Sequence, residues 1–119
     1  MIETVVSVLI GVAAMYAPGV MERVADNRGL PRSACMVAMA QPIGTQVVVY
    51  GEAGSAECVV MDVPHPRDVR SIAARGIVVE LDYRSSWQVC RDPRLGPEQC
   101  PVIVVVSPRP VVRDVTEHE

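Results

Sequence analysis

QPIGTQVVVYGEAGSAECVVMDV, residues 41–63, is the stretch that decides the fold. It holds two valine-rich runs, TQVVVY (45–50) and ECVVMDV (57–63), separated by a Gly-bearing turn sequence. β-Branched side chains are stiff at χ1 and fit a pleated surface better than a helix. Runs this short, bounded by Gly, Pro or polar turn residues, read as strands. Four more runs of the same kind follow the same punctuation: GVAAMY (11–16), CMVAMA (35–40), GIVVELDY (76–83) and PVIVVV (101–106). The unbroken valines at 47–49 and 104–106 suggest strands buried on both faces, or strands inside a closed barrel. With 24 valines, no phenylalanine and one tryptophan among 119 residues, β-branched side chains rather than aromatics must fill the core. The length fits a single domain, taken as 1–119.

Three segments depart from the strand pattern. Val20–Arg28 has helix-like spacing and stops at Gly29, and Pro66–Arg75 starts with proline at a first helical position and stops at Gly76. Tyr83–Cys90 follows Asp82, a suitable N-cap. The sequence therefore predicts a mainly β protein, a barrel of six or seven strands with short helices in the connections. Residues 110–115 are a candidate edge strand, with a frayed end after them that holds His118. A faint echo between IGTQVVVY (43–50) and RGIVVELDY (75–83) suggests a two-fold repeat.

The apolar run from Val5 to Met15 is shorter than the roughly 20 residues of a bilayer span. Glu3 stands where a signal peptide would have a basic start, so the run reads as a strand. All eleven cations are arginines at scattered positions, and the 14 acids outnumber them. No nucleic-acid surface is expected from that distribution. No phosphate-binding loop or catalytic triad occurs, and no cofactor is expected.

Cys35, Cys58, Cys90 and Cys100 allow three disulfide pairings, and the lack of a CxxC spacing argues against zinc. Cys90 and Cys100 flank the turn-rich RDPRLGPEQ, so a bridge closing that loop would leave Cys35 to pair with Cys58 across strands. Four buried free thiols are the alternative. An even count in a small domain points to an extracellular or periplasmic setting, or to a virion surface.

Several segments, in order, resemble RlpA-like and expansin-like domains, which are related to barwin. GVAAMYAPG (11–19) is similar to their opening strand and QPIGTQVVVY (41–50) to their Leu-Pro-x-Gly-Thr-x-Val segment. ECVVMDV (57–63) resembles the strand carrying their Asp, and RGIVVELD (75–82) their Ile-Asp-Leu-Ser strand end. The resemblance covers residues 11–106 and implies a six-stranded double-psi β-barrel with a glycan groove across one face. Asp62 matches the family's candidate general acid, Glu80 a second family carboxylate, and Tyr16 the groove aromatic. RlpA-type enzymes carry a His before Pro-x-Gly-Thr, and the aligned position here is Ala38.

His65, in DVPHPRD, is the candidate replacement for that His, or one corner of an Asp62–His65–Asp68 metal site; the plainer reading is a surface loop stiffened by two prolines. Asp82 reads as an N-cap, Trp87 as a core residue, and the methionines as core fillers. Three functions are consistent with these residues. The first is a non-catalytic module that binds cell-wall glycan through Tyr16, Asp62 and Glu80, or that builds an envelope or phage particle. The second is a peptidoglycan-cleaving lytic transglycosylase using Asp62, Glu80 and His65. The third is a protein-interaction module, such as a protease inhibitor or a self-assembling subunit.

Overall fold

The computed structural model describes residues 7–95 and 100–107. The strands are β1 (Ser7–Met15), β2 (Met36–Ala38), β3 (Gln46–Gly51), β4 (Ser55–Asp62), β5 (Ile77–Leu81) and β6 (Pro101–Val106). The helices are α1 (Val20–Asn27), α2 (Val69–Ala74) and α3 (Tyr83–Val89), with 3₁₀ turns at Pro66–Asp68 and Pro93–Leu95. All six apolar runs are strands, and they close into a barrel in the order β1-β5-β2-β4-β3-β6. β1 runs parallel to β5 and β2 parallel to β4, while the remaining pairs are antiparallel. The two echoing segments supply β3 and β5, which stand diametrically opposite in the ring.

Alternation along each strand fills the barrel. Val37, Val47, Val49, Val60, Val79, Leu81 and Val104 point inward and are fully buried. Each such side chain contributes about 1.5–3 kcal/mol of apolar burial. The valine runs are therefore barrel strands and are not buried on both faces, since Val48 and Val105 keep partial exposure between their inward neighbours.

A second cluster of Met21, Ala25, Met36 and Met61 lies between α1 and the strands, where flexible methionines fill the gap. Gly29 and Gly76 follow α1 and α2 with φ of 68° and 73°, the left-handed conformation expected of helix stops.

Two disulfides fasten the ends of these elements. Cys35–Cys58 joins the residue before β2 to β4, and Cys90–Cys100 joins the end of α3 to the start of β6. Among the described residues no cysteine is free. No helix among these residues is long and apolar enough to cross a membrane.

Asp82 has more work than capping. It is 1% exposed. One carboxylate oxygen accepts the Ser85 N–H at the start of α3 (3.4 Å), and the other accepts the Met36 N–H of β2 (2.9 Å). Its own N–H donates to the Met36 carbonyl at 2.9 Å. Ser85 Oγ adds a bond to the Ala34 carbonyl at 3.2 Å.

Trp87 corrects the sequence expectation. It is 39% exposed rather than core. Ser85, Ser86 and Val89 take the buried side of α3, so helical rotation turns position 87 outward. There it meets Tyr83 edge-on at 6.3 Å and the Arg94 guanidinium at 5.5 Å. The candidate strand at 110–115, His118 and residues 5–6 of the first run lie outside the described residues.

Replacing Asp82 with alanine is expected to lower unfolding free energy by about 2–4 kcal/mol, because the cap is lost and the Met36 N–H is left buried without a partner. Urea unfolding followed by circular dichroism measures this, and a loss below about 1 kcal/mol would contradict the role given to Asp82.

Candidate functional site

β2 is only three residues long, and its last residue organises the site. Ala38 lies opposite Asp62 of β4 on one side and opposite Glu80 of β5 on the other. Two strand spacings put the Asp62 and Glu80 backbones about 9–10 Å apart, with one alanine between them. A register shift between Val37 and Ala38 accompanies this placement. Glu80 is also opposite Ala14 of β1, and the chain leaves β1 through Tyr16, whose N–H donates to the Leu81 carbonyl at 2.9 Å.

These residues share one open groove of about 460 Å³. Its lining includes Tyr16, Arg28, Asp62, His65, Asp68 and Glu80. Arg28, at the end of α1, donates from Nη2 to Asp62 Oδ1 at 2.6 Å. The Val63 N–H donates to the same oxygen at 3.0 Å. The pair is partly exposed and is worth at most about 1 kcal/mol of stability. Arg28 thereby occupies one oxygen of the carboxylate that the resemblance matches to a family general acid.

Tyr16 is half-buried, and its hydroxyl is held far above the ordinary tyrosine range. Burial is the main cause, followed by the negative charge of Glu80, a hydrogen bond with Glu80, and the charge of Asp62. The phenol therefore stays protonated and acts as a donor in the groove. His65 begins the 3₁₀ turn, where its Nδ1 accepts the Arg67 N–H at 3.2 Å. That bond leaves the neutral ring with its proton on Nε2. Among the described residues no group of three or more His, Cys, Asp or Glu side chains is placed to hold a metal ion.

An apolar cleft of about 250 Å³ opens beside the groove and shares Pro64, Ile72 and Glu80 with it. Ala38 lines this cleft and is 3% exposed. At the position where the resembled enzymes carry histidine there is only a buried methyl group.

The structure thus gathers Tyr16, Asp62, His65, Asp68 and Glu80 around one groove. Arg28 was not singled out from the sequence. It lies 34 residues from Asp62, and neither spacing nor composition links the two. The signal that was available is weak: a cation just before the Gly29 stop of α1.

Together the groove offers carboxylate acceptors, a phenolic donor and a guanidinium, all suited to a hydroxyl-rich ligand. A scan of protein-family models finds no match to this chain, and a search of curated proteins finds none either.

Above pH 10 an unfolded tyrosine ionises while Tyr16 in the folded protein does not, so the unfolded state binds fewer protons and stability falls as pH rises. Tyr16→Phe is expected to flatten that fall between about pH 10 and 12. Thermal melts across this range measure it, and identical pH slopes in both proteins would contradict the burial and charge argument.

Proposed function

We propose that this protein binds cell-wall glycan in the Tyr16–Asp62–Glu80 groove without cleaving it. The carrying observation is the state of Asp62: it shares the groove with Glu80 and Tyr16, yet its Oδ1 is engaged by Arg28 and the Val63 N–H. Glycosidic cleavage needs a proton donor at the leaving oxygen and a second group that stabilises charge or activates the nucleophile. Arg28 and the Val63 N–H already engage Asp62 Oδ1, and the Ala38 methyl supplies no substitute for the missing histidine. Sugar binding makes no such demand. Hydroxyls can bridge the two carboxylates and the Tyr16 hydroxyl, and the tyrosine ring can pack on a sugar face.

The closed six-stranded barrel with two parallel strand pairs is compatible with the double-psi arrangement of RlpA-like and expansin-like domains. The two disulfides suit an extracellular, periplasmic or virion-surface setting.

One observation favours a lytic transglycosylase as the second reading. Asp62 and Glu80 face the same groove at a backbone separation of about 9–10 Å, so their carboxyl groups can approach to the 5–10 Å range of paired glycosidase acids.

Incubation with purified peptidoglycan and titration with its soluble glycan fragments separate the two. The expected result is saturable binding, weakened about tenfold in Glu80→Gln as one charged hydrogen bond is lost, with no anhydro-muropeptide released. Release of anhydro-muropeptides that disappears in Asp62→Asn would establish the enzyme instead.

A further inference from the structure

Beneath α2 the barrel wall is hollowed by the apolar cleft that adjoins the groove. Val69, Ile72 and Ala73 sit at i, i+3 and i+4, so they share one face of α2, and all three line the cleft. That face is apolar, yet no residue of α2 is buried and Val69 is 50% exposed. The helix packs on β5 and still leaves about 250 Å³ beside it. Ala38 forms part of the cleft wall, and a larger side chain there would take up the space. Among the described residues that line the cleft only Gln41 and Glu80 are polar, and Glu80 also lines the groove.

We infer that this cleft is a specificity pocket for the N-acetyl group of an amino sugar whose ring lies in the groove, an inference that rests on the glycan reading above. Its size points to a substituent. About 250 Å³ falls below the roughly 300–1,000 Å³ of a pocket that encloses a whole small ligand, and the cleft runs on from a groove of about 460 Å³.

Its chemistry points to an acetamido group, which has one N–H donor, one carbonyl acceptor and one methyl. The cleft offers a carboxylate acceptor, a side-chain amide and apolar walls. Glu80 stands at the junction, where it can accept the N–H of an acetamido group on a ring in the groove. The Gln41 amide can donate to the carbonyl, and the methyl packs against Ile72 and Ala73. A hydroxyl or an ammonium group on the same carbon would reach the carboxylate but leave the apolar walls in water.

Calorimetric titration with soluble peptidoglycan glycan fragments, and with the same fragments after de-N-acetylation, tests the pocket. The free amines of the second probe are cations, so simple attraction to Asp62, Asp68 and Glu80 favours it. The expected result is the reverse: the N-acetylated fragments bind about tenfold tighter, through one buried methyl and one hydrogen bond. Ala73 is exposed, so Ala73→Phe adds a ring over the cleft without displacing a core side chain. That variant is expected to erase the difference with an unchanged circular dichroism spectrum. Gln41→Ala, away from the helix, is expected to reduce the difference at least about threefold even if Ala73→Phe does not fold. Equal affinities of the wild-type protein for the two probes, or tighter binding of the free amines, would overturn the pocket and leave the glycan reading standing. Failure to bind either probe would overturn that reading and the pocket with it. A preference unmoved by both substitutions would overturn the pocket alone.

Discussion

A strand of three residues joins the two sides of this barrel, and Asp82 holds it in place. Met36–Ala38 is too short to be secured by its own ladder bonds, with β4 on one edge and β5 on the other. Both backbone groups of Met36 are bound by Asp82, one through the carboxylate and one through the main chain. The same carboxylate starts α3, so the position of β2 is tied to the element that follows β5. The adjacent Cys35–Cys58 bridge fixes the other end of the strand against β4. Everything in the groove inherits this arrangement, because Ala38 sets the spacing of Asp62 and Glu80.

The two sides of the barrel differ in chemistry for one reason. Inward valines satisfy the core everywhere, so outward positions are free to differ. Around β2 they carry carboxylates and an aromatic, with α1 and the His65 turn folding over to complete a polar groove. Around β6 the outward side chains Val8, Ile10, Val48, Tyr50, Ile103 and Val105 are mostly apolar. The proposed binding role rests on two features of the groove. Arg28 and the Val63 N–H meet on one oxygen of Asp62, while burial and carboxylate charge keep the proton on Tyr16.

Much of the fold was legible because the local signals agreed with one another. Valine runs with glycine and proline between them located all six strands, and Pro66, Asp82, Gly29 and Gly76 marked helix boundaries close to those observed. The pairing of Cys90 with Cys100 followed from the short loop between them. What sequence order could not convey was anything made by long-range pairing. The salt bridge from Arg28 to Asp62, the clamp from Asp82 to Met36 and the flanking of Ala38 by two acids all depend on register between distant strands. Trp87 was misread because a lone tryptophan is usually core, while here the helix spends its buried side on two serines and a valine. The apolar outer wall was hidden for the same reason as the clamp: Ile10, Ile103 and Tyr50 become neighbours only once the barrel closes.

The most direct test of the groove is a map of amide chemical shifts in the isotope-labelled protein as a soluble peptidoglycan glycan is added. Perturbations centred on Tyr16, Arg28, Asp62, His65 and Glu80, with β6 silent, are the predicted result. Shifts confined to other surfaces, or none at saturating glycan, would contradict it.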